Sequence, residues 1–277
     1  MSEKGNGCDQ RLVEVGTEKL RMMLAFTQAG EYVLRSLKDL ETGKEYVQSD
    51  RLPPDEFAIT AEGEVIRGMD GGLTWVGLSE EIRSQGEKET VVTLRRGPLD
   101  IERHYVAYPG LAVLQSWTVY RNSSQRDLRV SRPSLFLVRC LSKEAEKVDF
   151  SYMTGGANFT GSQVFKTVPV HDGFVKAFDS MGEPEIMEVD GVKGNTWHPR
   201  MNGCGVWNEF FALRNREEQQ GLWLTFDYQG WWKAKMILAL PTTRVPSSTV
   251  ASTMSRLRSQ ATPAHIVRVP LSISATA

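Results

Sequence analysis

Apolar and polar residues alternate along much of this chain with a period of two. In LDIERHYVA, residues 99–107, Leu99, Ile101 and Tyr105 fall on one side of an extended backbone and Asp100, Glu102 and His104 on the other. Arg103 breaks the pattern, because a charge occupies a position of the apolar series. Beyond Tyr108-Pro109-Gly110, Leu111, Val113 and Trp117 share one side and Ser116 and Thr118 the other. Two such runs joined by a Pro-Gly turn predict a β-hairpin. The following run, LRVSRPSLFLVRC, is apolar on both sides from Leu135 to Val138, which predicts a strand covered on both faces. FAITAEGEVIRG and ETVVTLRR are further strand candidates. Turn signals separate the runs: Thr42-Gly43, Pro53-Pro54, Asp70-Gly71-Gly72, Gly155-Gly156, Asp172-Gly173 and Asp190-Gly191. Helical periodicity is scarce, and its best example, LSEEIRSQ at 78–85, is short. The pattern predicts an all-β chain, a large antiparallel β-sandwich or supersandwich.

GLWLTFDYQGWW, residues 221–232, poses a sharper question, because five of its residues are aromatic. Leu222, Leu224, Phe226 and Tyr228 alternate with Trp223, Thr225, Asp227 and Gln229. The even-numbered side is apolar throughout, so it is expected in a core and the stretch is expected to be a strand. Gly230 bends or bulges the end of it, and Trp231 and Trp232 then face opposite sides.

Composition changes the picture at the C-terminus. No Asp or Glu occurs in the last 50 residues, although the chain carries 34, and 13 of the 37 residues from Pro241 onward are Ser or Thr. The expected organisation is an N-terminal arm at 1–14, a β-sandwich domain at 15–240 and an irregular tail at 241–277. That tail is expected either disordered or the product of a truncation or frameshift. Within it, STMSRLRSQ suits a marginal helix and IVRVPLSI an edge strand.

A net charge of −1 gives no basic field, so neither nucleic acid nor an anionic membrane is an expected partner. No run of 18 apolar residues predicts a membrane span, and MSEKGNGCDQRLVEVG lacks the apolar core of a secretory signal. Cys8, Cys140 and Cys204 lie far apart and form no CxxC pair, and His104, His171, His198 and His265 are scattered. Free thiols in a reducing compartment, a cytoplasmic location, and no metal or cofactor are the expectations.

Candidate chemistry concentrates in GNTWHPRMNGCGVWNEFF. Aromatic, amide and carboxylate groups in a Gly- and Pro-containing loop are the means of gripping a sugar, by stacking and by paired hydrogen bonds to hydroxyls. The candidate sugar contacts are Trp197, His198, Asn202 and Trp207, with Trp231 from the aromatic stretch. Glycoside hydrolysis needs two carboxylates flanking the bond. Glu209 and Asp227 could face each other on neighbouring strands, but among 34 acids such a pair arises by chance, and no catalytic residue is expected.

Two blocks carry a family resemblance. HYVAYPGLAVLQSWTVYRN, through Tyr108, Pro109, Gly110, Trp117, Arg121 and Asn122, resembles a hairpin in the N-terminal domain of family 36 glycoside hydrolases, the α-galactosidase-like enzymes. WNEFFALRNREEQQGLWLTFDYQGWW, through Gly221, Leu222, Tyr228, Gly230 and Trp231, resembles the closing strands of that domain. The resemblance covers roughly residues 15–235. It implies a β-sandwich that in such enzymes is followed by a (β/α)8 barrel bearing two catalytic aspartates. A barrel needs about 250 residues of its own, and no alternation of strands and helices is present here. The implied function is therefore a non-catalytic N-terminal domain on a truncated chain, inactive alone. Its implied partners are a galactoside-type carbohydrate and further copies of itself in a homo-oligomer. A stand-alone carbohydrate-binding module using Trp197, Trp207 or Trp231 is the alternative, and a remnant without biochemical role is the third reading.

Overall fold

The computed structural model describes residues 10–47, 56–134, 147–154, 165–171, 174–179, 188–189, 192–193, 207–218, 220–226, 233–237, 255–257 and 271–276. These residues contain strands and no α-helix. In chain order the strands are β1 (Arg11–Gly16), β2 (Leu20–Phe26), β3 (Tyr32–Asp39), β4 (Ala58–Ala61), β5 (Glu64–Arg67), β6 (Thr74–Ile82), β7 (Lys88–Arg96), β8 (Leu99–Ala107), β9 (Val113–Asn122) and β10 (Leu128–Ser134). They continue as β11 (Val148–Thr154), β12 (Phe165–Pro169), β13 (Val175–Asp179), β14 (Glu188–Val189), β15 (Val192–Lys193), β16 (Trp207–Asn215), β17 (Gln220–Thr225), β18 (Lys233–Ile237), β19 (Ser255–Leu257) and β20 (Leu271–Thr276).

A nine-stranded antiparallel sheet, ordered β12-β11-β16-β17-β20-β9-β8-β7-β6, forms one layer. A three-stranded sheet, β1-β2-β3, and a four-stranded sheet, β19-β10-β4-β5, supply the other side of the core. Side chains interlock across the layers. Phe26 of β2 lies 5.5 Å from Trp75 of β6, the Tyr32 and Tyr105 hydroxyls are 3.1 Å apart, and the Tyr120 hydroxyl reaches the Ala58 carbonyl. This is the all-β antiparallel sandwich that the alternation predicts.

The predicted hairpin is β8–β9, paired from Leu99 opposite Asn122 to Ala107 opposite Leu114. Gly110 closes its turn at φ 79°, a conformation open to glycine at little steric cost. FAITAEGEVIRG folds as the β4–β5 hairpin, whose two-residue turn, Glu62-Gly63, has φ of 49° and 87°. Positive φ at both positions matches the right-handed twist of the flanking strands. Gly221 permits a close approach, since a Cβ there would lie 2.3 Å from the Leu213 carbonyl oxygen.

Two expectations differ from the structure, and β9 turns its polar side inward. LSEEIRSQ is no helix: Leu78 to Ile82 close strand β6, which pairs with β7. Leu78 and Ile82 fit helical spacing and also fit alternation, and a lone eight-residue helix is marginal in water whereas an in-register β7 partner is not. In β9 the two sides group as the alternation has them, and the polar side is the one that faces the core. Leu114, Ser116, Thr118 and Tyr120 face the core, Trp117 lies on the outer face, and Leu111 is exposed in the turn. The polar pair turns inward because Tyr105 and Arg103 of β8 lie opposite Ser116 and Thr118. Secondly, within 241–277 the described residues form two short strands. Ser255–Leu257 pairs with β10, and Leu271–Thr276 sits between β17 and β9 inside the large sheet, where a helix and an edge strand were expected. From LRVSRPSLFLVRC, the described part is β10, with a register shift against β4 between Ser131 and Ser134 that accommodates Pro133; Leu135–Val138 and Cys140 lie outside the described residues.

Candidate functional site

Among the candidate sugar contacts, Trp207 opens β16 and pairs with Thr154 of β11. Trp197, His198, Asn202 and Trp231 lie outside the described residues, as does Asp227. Of the five, Trp207 alone is among the described residues. Trp207 and the last residue of β17, Thr225, do sit at the same end of the sheet, because the two strands run antiparallel with Phe210 opposite Thr225.

The aromatic strand divides as its alternation predicts. Leu222 and Phe226 are buried, whereas Trp223 is 47% exposed on the outer face. Sequence reading missed what surrounds Trp223. Phe210 of β16 lies 5.5 Å away and Phe165 of β12 lies 5.7 Å beyond that, itself half exposed. The rings are inclined to one another by 72° and 52°, so they form a ridge and not the flat platform on which a pyranose stacks.

The residue that broke the sequence pattern marks a polar cluster inside the core. Arg103 is among the most buried side chains of the protein. Its Nη2 donates to Glu56 Oε2 at 3.0 Å, its Nη1 to Thr118 Oγ1 at 2.6 Å and its Nε to the Tyr105 hydroxyl at 3.3 Å. The Tyr105 hydroxyl donates to Glu56 Oε2 at 2.7 Å, which leaves Tyr32 as the donor in the Tyr32–Tyr105 contact. Each guanidinium nitrogen and each of the two phenols thus donates to a defined acceptor, the condition on which a buried charge is tolerated. Burial pushes the Tyr32 and Tyr105 hydroxyls well above the ordinary phenol range. Burial pulls the Arg103 guanidinium down, but Tyr105, Glu56 and Tyr32 outweigh it and hold Arg103 charged. Thr118 and Ser116 face inward on β9 to border this cluster. Buried throughout, it joins β3, β8, β9 and the residue two before β4, and offers no access to a substrate.

A second cluster occupies the outer face of the same strands. His104 stacks on Trp117 with ring centres 4.8 Å apart, and Arg83 lies over Trp117 at 5.4 Å. His104 Nδ1 is 2.9 Å from Glu89 and Nε2 is 3.6 Å from Glu102. Arg83 clamps Glu89 and Arg121 clamps Glu102. Burial works against the Glu89 carboxylate, but hydrogen bonds from His104 and Arg83 win and hold it below its ordinary range. Both acids are neutralised by cations, so neither is placed to protonate or attack a glycosidic bond. A cavity of ≈ 10 Å³ between Tyr46, Asn215, Gln220 and the Lys44–Glu218 ion pair has room for one water molecule and none for a sugar. Among the described residues no group of His, Cys, Asp and Glu is arranged to hold a metal, and no helix is long and apolar enough to cross a membrane.

No protein-family model and no curated protein matches this sequence. Solved structures do match the fold. The α-galactosidase from Lactobacillus brevis superposes with a TM-score of 0.61 at 13% identity, over 96% of this chain and 39% of that one. The GH36 α-galactosidase AgaA from Geobacillus stearothermophilus superposes with a TM-score of 0.61 at 11% identity, over 97% of this chain and 40% of that one. A putative aldose 1-epimerase from Escherichia coli K12 superposes less closely, at a TM-score of 0.50 and 7% identity, but over 96% of this chain and 99% of that one. This chain therefore has the sandwich fold found in GH36 α-galactosidases, and it spans about 40% of their length.

Proposed function

We propose that this chain is the non-catalytic N-terminal sandwich of an α-galactosidase-like glycoside hydrolase, supporting carbohydrate hydrolysis from outside the catalytic centre. One observation carries the reading. Nearly the whole chain superposes on two-fifths of an α-galactosidase, while the described carboxylates that lie near each other are tied to cations. Its work in a complete enzyme is mechanical, to cover and brace neighbouring structure. The pure chain is expected to release no nitrophenol from a nitrophenyl α-galactoside. Release that scales with protein and survives repurification refutes the reading.

A second reading is a stand-alone carbohydrate-binding domain, with Trp197, Trp207 or Trp231 as the contact. Its support is that the same fold accounts for 99% of the epimerase chain, so the sandwich does not depend on a further domain. Titration with raffinose distinguishes the two. A saturable shift in tryptophan fluorescence at millimolar sugar favours binding, and an unchanged spectrum favours the bracing role.

A further inference from the structure

The nine-stranded sheet ends at β6, which pairs with β7 and with nothing on its other side among the described strands. β6 is nine residues long and carries three exposed apolar side chains, Val76 at 47%, Leu78 at 49% and Ile82 at 66%. A free edge of this length presents a row of unpaired N–H and C=O groups, and proteins usually cover or blunt such an edge. The opposite edge, β12, is five residues long and ends in Pro169. The register against β7 slips at Val76 and runs regularly from Gly77 to Ile82.

We propose that two copies of this chain pair edge to edge along β6, antiparallel about a two-fold axis through Ser79. Sheet geometry allows few registers. A two-fold perpendicular to the sheet must pass through a residue, because residues opposed across two strands share a face. An axis through Glu80 would oppose two carboxylates directly, which is destabilising. An axis through Ser79 places Leu78 opposite the stem of Glu80 within the regular ladder and brings Ile82 to the bulged Val76 at both ends. Val76 and Ile82 then meet at the two ends, and the Glu80 stem covers Leu78. Glu81 falls opposite Gly77, which has no side chain to crowd it. The two Glu80 carboxylates lie two residues apart along the strands, about 8 Å, close to the screening length at physiological salt. Each is already paired with Lys88 at 2.7 Å. The Val76 bulge confines the regular ladder to the segment that the axis uses. The pairing consumes β6 on both copies, so it closes as a dimer and cannot propagate into a fibre.

The test is the mass of the pure chain by sedimentation from micromolar to submillimolar concentration. Wild type is expected to approach two chain masses, and Leu78→Lys with Ile82→Lys is expected to remain at one, with an unchanged melting temperature because both side chains are half exposed. Ser79→Cys places two thiols on the axis, where directly opposed Cβ atoms are about 5 Å apart. It should form an interchain disulfide on mild oxidation, and Gly77→Cys should not. Amide exchange at residues 77–81 of the unaltered protein should slow with concentration. A chain that stays at one mass, or a dimer that persists in the double-lysine variant, overturns the proposal.

Discussion

Replacing Arg103 by Met tests whether the polar cluster in the core is the joint between its layers. The side chains of Arg103 and Glu56 are 2% and 5% exposed. Met fills much of the volume of the arginine stem but removes three donors. Glu56 then keeps the Tyr105 hydroxyl at 2.7 Å and loses its countercharge, in an interior that water does not reach. Breaking one partner of a buried pair costs about 3–5 kcal/mol. Against a total stability of about 5–15 kcal/mol this removes a large fraction. At about 2–4 °C per kcal/mol the melting temperature falls by roughly 6–20 °C. Urea unfolding followed by tryptophan fluorescence measures it, with the slope unchanged if the unfolded state is unaffected. The decisive arm is the double variant Arg103→Met with Glu56→Leu. Removing the stranded carboxylate should restore stability relative to Arg103→Met alone, since a well-packed apolar replacement of a buried ion pair is often neutral or stabilising. A loss below about 1 kcal/mol for Arg103→Met, or strictly additive losses in the double variant, refutes the reasoning, since the first is the size expected of an exposed pair.

The buried phenols make the fold alkali-sensitive. Burial raises Tyr32, Tyr105 and Tyr120 above the ordinary 10.0 and pushes Tyr46 up to about 12, so their stabilisation is complete below pH 10 and is lost as pH rises beyond it. Urea titrations at rising pH should show a loss of about 1.4 kcal/mol per tyrosine per pH unit above that point, and a midpoint unchanged between pH 9 and 11 would exclude it. At the acid end, the depressed Glu89 stabilises the fold above the ordinary carboxylate range and loses that contribution as pH falls through its folded value. Glu89→Gln should flatten the acid limb of the stability–pH curve, and an identical limb in both proteins counts against the His104–Glu89–Arg83 arrangement. Along the aromatic strand, Phe226→Ala should cost about 3–5 kcal/mol as a core truncation, whereas Trp223→Ala should cost about 1 kcal/mol for its edge-on contact with Phe210. Equal costs in urea unfolding would mean that the two faces are misassigned.

The layers of this fold were legible where alternation and burial agree, and illegible where a polar residue is buried for a partner remote in sequence. β7 and β8 show the first case: ETVVTLRR and LDIERHYVA read as strands, and Val92, Leu94, Leu99 and Ile101 on their apolar sides are fully buried. The even-numbered residues of GLWLTFDYQGWW read the same way, and Leu222 and Phe226 bear it out. β9 shows the second case. Alternation separates Ser116 and Thr118 from Val113 and Trp117, but it does not say which side is the core, and the polar side is the buried one. The signal that could have settled which side is inward was Arg103 itself, a lone charge in an apolar series. Such a charge is tolerated only with partners, and the nearest are the residues opposite it on the neighbouring strand, of which Thr118 is one. Glu56, 47 residues away in sequence, could not be found that way. The tail escaped for a related reason, since β20 takes its register from β17 and β9, and a six-residue run rich in Ser carries too little apolar signal to announce a central strand. The outer face was the least legible part. Phe165, Phe210 and Trp223 come from three strands, each contributing one ring, and no spacing within the sequence links them. A single rule accounts for each miss: local pattern reports which face of a strand is apolar, whereas the placement of charges, edges and ridges is decided between strands.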